Sequence, residues 1–213
     1  MKKAVILGAT GAVGKEILKE LIRRETYDKI YVVGRNSINN LPNGDKFEAI
    51  VINFDEMVFD ESILENADVF VAFGTTLKQA GSKEAQYKID YTYVYNFAKK
   101  CENKVKSFNL VSAIESNPNS KNFYGSLKGK LEESVTKLEL GKLRIFRPSL
   151  LIVERKGRFF ESLGVKLVPV VNLLTRGRFI DYRPIKPADL ASIMIDAVEK
   201  NRQENIYKYS NFR

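Results

Sequence analysis

Two residues four apart, Tyr124 and Lys128 in YGSLKGK, are the pair in this chain best suited to moving a proton. At about 100° per helical residue, four positions bring the two side chains to within roughly 40° of each other on one helix face. A free phenol, with a pKa near ~10, is a poor acid or base at neutral pH. An ammonium beside it favours the phenolate and lowers that value. Ser112, which follows the apolar run FNLV, offers a hydroxyl that can hydrogen-bond a reacting oxygen. Few residues compete for such chemistry, because the chain has no histidine and one cysteine. That excludes a Ser-His-Asp triad, a Cys-His pair, a His-ligated zinc and an intrachain disulfide. No metal site is expected. Cys101, in AKKCENK, lies among lysines that would lower a thiol pKa, but it reads as an ordinary cysteine near a helix end.

A second signal stands near the start, in AVILGATGAVGKEILKEL. Gly8, Gly11 and Gly14 fall three apart, directly after an apolar run and before a helical pattern with its stripe at Val13, Ile17, Leu18, Leu21 and Ile22. Glycine is costly inside regular structure, so this cluster implies a close approach of backbone to something. At a helix start the free N–H groups and the helix dipole favour an anion, and the glycines admit a dinucleotide pyrophosphate. A phosphate loop of the G-x-x-x-x-G-K-[ST] type is excluded, because Glu16 follows Lys15 and the first glycine position is Ala9. An NAD site usually carries an acidic residue at the end of the next strand. Here VVGRNSINN has none and offers Arg35, suited to a 2′-phosphate, so NADP(H) is expected over NAD(H).

The elements that must position these residues alternate along the chain. Strand candidates are 4–7, 30–33, 48–52, 68–73, 108–111, 143–146 and 206–209, and helical patterns fill 12–24, 84–100, 124–139 and 188–200. Most strand runs are continuously apolar, as in strands covered on both faces. The alternation predicts an α/β fold, a doubly wound parallel sheet forming one domain over 1–213. Residues 150–187 break the rhythm with prolines and glycines, and read as a substrate-covering insertion. A 213-residue chain with 44% apolar and 29% charged residues is an ordinary globular protein. No stretch reaches the roughly eighteen uncharged apolar residues of a membrane span, and no signal peptide is evident, so a cytoplasmic protein without a membrane partner is expected. The net charge of +9 is consistent with a nucleic-acid surface, an anionic ligand or a plain solvated face. The basic residues are scattered, which favours the last and makes a nucleic-acid partner unlikely.

With these motifs in order, the chain resembles the short-chain dehydrogenase/reductase superfamily, in its atypical branch of NmrA-like and Tat-interacting-protein-like oxidoreductases. The resemblance runs from GATGAVG through VVGR, INFD, VAFGTT, DYTYVYNFAKKC, LVSAIES and YGSLKGKLEE to RPSLL. It implies a cofactor turn of Gly8, Gly11 and Gly14 with Thr10, Ala12 and Val13 beside it. It sets Arg35 at the adenosine phosphate, Asp55 by the adenine, Phe73, Gly74 and Thr75 along the adenine and ribose, and Pro148 behind the nicotinamide. Ser112, Tyr124 and Lys128 become the catalytic set, with Tyr124 and Lys128 also touching cofactor. The implied activity is NADP(H)-dependent oxidation or reduction of a small carbonyl or alcohol. The alternative is a cofactor-sensing regulator without turnover, since some atypical members act so. The helix bearing Tyr87, Tyr91 and Tyr95 reads as a core or subunit-interface helix rather than a base-stacking surface, and a homodimer is expected.

Overall fold

The computed structural model describes residues 1–35, 38, 47–152 and 177–212. Among these residues seven strands lie in one parallel sheet: β1 (Lys3–Leu7), β2 (Lys29–Gly34), β3 (Phe47–Val51), β4 (Asp68–Val71), β5 (Ser107–Val111), β6 (Lys142–Phe146) and β7 (Ile206–Tyr207). Their order across the sheet is β3-β2-β1-β4-β5-β6-β7. The chain therefore winds outward from β1 in one direction, returns, and winds outward from β4 in the other. Between β1 and β4 the connections diverge, and a crevice opens at the carboxyl ends of those strands.

Both faces of the sheet are covered, which explains the unbroken apolar runs. On one face α1 (Ala12–Arg24) packs Val13, Ile17, Leu18 and Leu21 against Ala4, Ile6, Ile30 and Val32. The last helix, Pro187–Glu199, joins that layer through Leu190, Ala191, Met194 and Ile195. On the other face, Val94, Phe97, Ala98, Leu131 and Val135 pack on Val5, Leu7, Val69, Val71, Phe108 and Leu110. Their helices are α4 (Val94–Cys101) and α5 (Phe123–Val135).

Four elements differ in detail from their sequence-based outlines. The pattern at 84–100 is a short helix, α3 (Lys83–Tyr87), then a π turn, Lys88–Tyr93, then α4. The fourth strand stops at Val71, which frees Ala72 and Phe73 to line the crevice. Helix α5 ends at Val135, with Thr136 as its C-cap, and the final strand is cut short because a 3₁₀ turn begins at Tyr209. A further short helix, α2 (Leu77–Ala80), follows β4 with a Thr76–Gln79 capping box. Of the insertion expected at 150–187, residues 153–176 lie outside the described residues; its flanks pair through Leu151 and Ile185. Cys101 closes α4 fully buried, and that burial pushes its thiol pKa up.

Candidate functional site

The glycine turn is shaped by contacts that a side chain would destroy. Gly8 has φ +97°, and a Cβ there would lie 2.4 Å from the Ala72 carbonyl oxygen. A Cβ on Gly14 would lie 2.1 Å from the Gly8 oxygen, so α1 and the β1 end could not approach as they do. The Gly11 N–H closes the turn on the Gly8 oxygen at 3.0 Å. Gly11 then caps α1 without any side-chain hydrogen bond, and the first turn holds no acidic residue. The positive helix end and its spare N–H groups are left for an anion.

The crevice above this turn has three contiguous lobes. The first, of about 320 Å³, is lined by Gly8, Thr10, Gly11, Arg35, Phe73, Gly74 and Thr75. The second, of about 220 Å³, is lined by Gly11, Ala12, Val13, Phe73, Gly74, Ser112, Tyr124, Lys128 and Pro148. A third, of about 600 Å³, spreads in front of the turn between Lys15 and Lys186. Apart from Gly14, buried under the turn, the expected site residues thus meet in one place, with a single exception. Asp55 is not among the lining residues. Its carboxylate binds Lys88 at 2.7 Å and the Tyr93 hydroxyl at 2.9 Å, and Lys88 holds it below the usual carboxylate pKa.

Tyr124 stands at the rim, 39% exposed, and its hydroxyl has no hydrogen-bond partner among the described residues. The Lys128 ammonium lies 5.7 Å from the centre of its ring, as the four-residue spacing requires. Lys128 is itself buried, and its charge faces Asp90 Oδ2 at 3.5 Å. The other Asp90 oxygen accepts the Thr75 N–H at 2.6 Å, while Gln86 Nε2 donates to the Thr75 carbonyl at 3.1 Å. Burial pushes the Asp90 pKa up, opposed by the Lys128 charge.

Ser112 is buried, and its hydroxyl is committed. It donates to Glu132 Oε1 and lies 2.8 Å from the Ser116 hydroxyl. Glu132 is also buried and is clamped by Arg147, whose Nε sits 3.1 Å from both carboxylate oxygens. A serine hydroxyl has one proton and two lone pairs. In the resting site that proton points at Glu132, so Ser112 must turn it to act as the donor to a carbonyl that the sequence suggested.

Asp90, Glu132 and Arg147 were not singled out from the sequence. Glu132 had a usable signal, since it continues the Tyr124, Lys128 spacing of four along one face of α5. Asp90 had a weaker one, an acidic residue in the middle of a helix rich in tyrosine and lysine.

A dinucleotide fits this donor set: a glycine cradle that any Cβ would fill, an uncapped helix start, a cation at the β2 end and an ammonium beside a phenol. The fold and this arrangement define an atypical short-chain dehydrogenase/reductase, with the NAD(P)-binding sheet of that superfamily. The chain belongs to the FMP52 family: it is 33% identical to the protein FMP52, mitochondrial, of Meyerozyma guilliermondii, over 98% of each chain. It is also 29% identical to the protein HTATIP2 of Rattus norvegicus over 73% of this chain and 65% of that one. Among solved structures, a short-chain dehydrogenase/reductase from Burkholderia thailandensis superposes with a TM-score of 0.65 at 15% identity, covering 98% of this chain and 90% of that one. A UDP-glucuronic acid 4-epimerase from Bacillus cereus in complex with NAD gives a TM-score of 0.66 at 16% identity, covering 96% and 76%. No protein-family model matches the chain. The cytoplasmic address expected from the absence of a recognisable leader is overturned by the FMP52 relatives, which are named as mitochondrial proteins. An address need not leave a signal that composition or hydropathy reveals.

Proposed function

We propose that the chain is an NADP(H)-dependent oxidoreductase acting on a small carbonyl or alcohol, and that it works in mitochondria as its relatives' names indicate. The observation that carries this reading is the Tyr124 hydroxyl, without a hydrogen-bond partner among the described residues, at the mouth of a small lobe with the Lys128 ammonium beneath its ring. Gly8, Gly11 and the start of α1 would hold the pyrophosphate, Thr10, Phe73, Gly74 and Thr75 the adenosine half, and Pro148 the nicotinamide end. Arg35, exposed at the end of β2 and lining the first lobe, supports NADP(H) over NAD(H). When bound, the cofactor supplies or accepts a hydride.

The protein's own part is the proton. In reduction, Tyr124 Oη gives its proton to the substrate oxygen, and Lys128 stabilises the phenolate left behind. In oxidation the phenolate takes the proton back. Ser112, whose hydrogen points at Glu132 in the resting site, orients the substrate oxygen by turning that hydrogen toward it. The test is NADPH consumption by the full chain against a panel of aldehydes and ketones. Turnover lost in Tyr124→Phe, with NADPH binding retained, is the expected result; equal turnover in the variant removes Tyr124 from the mechanism. NADPH binding without turnover on any panel member would instead favour a cofactor-sensing regulator.

A homodimer remains part of this proposal. Tyr87, Tyr91 and Tyr95 stack along one helix at ring separations of 4.8 and 5.9 Å, and Tyr91 reaches Ser134 on α5 at 2.9 Å. Tyr87 is 37% exposed, which leaves an aromatic stripe open to a second copy. Light scattering of the full chain at micromolar concentration reports the mass directly.

A further inference from the structure

Asp90 is a fully buried carboxylate between Thr75, which lines one lobe of the crevice, and Lys128, which lines the next. Burying an ionised carboxylate is costly unless it is paired and hydrogen-bonded. Asp90 meets only part of that need: Oδ1 takes the Thr75 N–H, and Oδ2 makes no hydrogen bond, facing the Lys128 ammonium at 3.5 Å. Two features of the backbone exist around it. The helix loosens into a π turn over Lys88–Tyr93, and Asp90 sits inside that turn. Such turns often mark functional positions within helices. Opposite it, a Cβ on Gly74 would stand 3.2 Å and 3.3 Å from the two carboxylate oxygens, so only glycine leaves the carboxylate free room there.

We propose that Asp90 is a positioning residue for Lys128: its carboxylate holds the ammonium charged and in place beneath Tyr124, and its bond to Thr75 ties that charge to the wall of the neighbouring lobe. This rests on the reading of Tyr124 and Lys128 as the proton-handling pair. Among the described residues, the groups around Lys128 leave Asp90 alone in the role. Tyr124 flanks it on its own helix, Ser112 at the end of β5 is uncharged, and Glu132, one turn further along α5, is spent on Arg147. The competing account is that Asp90 serves only to anchor the Thr75 backbone.

The two accounts separate in a titration that needs no turnover. Lys128 is followed by NMR of its ¹³Cε in the full-length protein, assigned by comparison with Lys128→Met. Asp90→Asn keeps an acceptor for the Thr75 N–H and removes only the charge. Loss of an opposite charge this close should lower the Lys128 midpoint by at least about one pH unit. A shift of less than about 0.3 unit, against that expectation, overturns the proposal. If Asp90→Asn does not fold, the reciprocal measurement decides: in Lys128→Met the Asp90 carboxyl, read through its ¹³Cγ, should titrate about one unit or more higher than in the wild type, because the coupling is mutual. An unmoved Asp90 midpoint there also overturns it. Absence of turnover with carbonyl substrates would bear on the proposed activity and leave both titrations unaffected.

Discussion

Two aspartates are buried at opposite ends of β4, and they are held in different ways. Asp68 opens the strand at the amino end of the sheet. Its two oxygens accept hydroxyls, Ser107 Oγ at 2.7 Å and Tyr27 at 3.0 Å, and Asn109 backs Ser107 at 3.0 Å. Burial pushes the Tyr27 phenol pKa up, so that proton stays in the hydrogen bond. Asp90 lies beyond the carboxyl end, equally buried, with one oxygen on a backbone N–H and the other turned toward an ammonium. At one end the carboxylate is saturated and closes the core. At the other it maintains a charge beside a crevice. Topology decides which end is which, because only the carboxyl ends of β1 and β4 part to leave an opening. A buried polar residue is therefore informative through what its partners leave unsatisfied, more than through burial alone.

The difference can be broken most decisively at Tyr124. Tyr124→Phe should cut turnover by about 10²–10⁴ and leave the melting temperature where it was; a fall in melting temperature would make the open end structural too. Asp68→Ala should do the reverse. It strands the Tyr27 and Ser107 hydroxyls, at about 1–3 kcal/mol each, a loss read by urea unfolding. An unchanged unfolding midpoint would mean the closed end is not held as described. Arg35→Ala should weaken NADPH binding about 10–100-fold with NADH unaffected, as expected for one charge-assisted contact to a phosphate, read by fluorescence titration. Equal weakening of both dinucleotides would set Arg35 aside as the discriminating residue. The smallest effect belongs to Glu20, away from both aspartates. Arg23, together with Arg24, depresses its carboxyl to about 2. A folded pKa below the unfolded one contributes stability at neutral pH that is lost as pH falls from about 4.5 toward 2. Glu20→Gln should thus cost under about 1 kcal/mol at pH 7, and the gap from wild type should close by pH 2 in thermal melts.

Much of this was legible from residue order. Continuous runs such as AVIL and DVFV announce strands covered on both faces, and the glycine spacing announces a backbone that must come close to something. Tyr124, Lys128, Arg35 and the loop Phe73–Thr75 converge as the motif order implied. What the sequence concealed are pairings between distant elements. Asp90 meets Lys128 from within a π turn, across two elements nearly forty residues apart in sequence. Glu132 meets Ser112 across a helix-to-strand contact, and the bond holds the serine's hydrogen in the resting site. Asp55, expected by the adenine at the end of a strand, is bound by Lys88 and Tyr93, more than thirty residues later.

The seventh strand carries a consequence for how the molecule is made. Only after residues 205–207 are available can Ile145 and Arg147 donate their N–H groups to Asn205 and Tyr207 at 2.8 Å, and Tyr207 stack on Phe146 at 4.5 Å. Phe212 then completes the layer that holds α1 and the last helix. During synthesis the first 207 residues must emerge before Arg147, and with it the clamp on Glu132 and Ser112, has its backbone partner. The Ser112, Glu132 and Arg147 group is thus completed late, by residues that line none of the three lobes of the crevice.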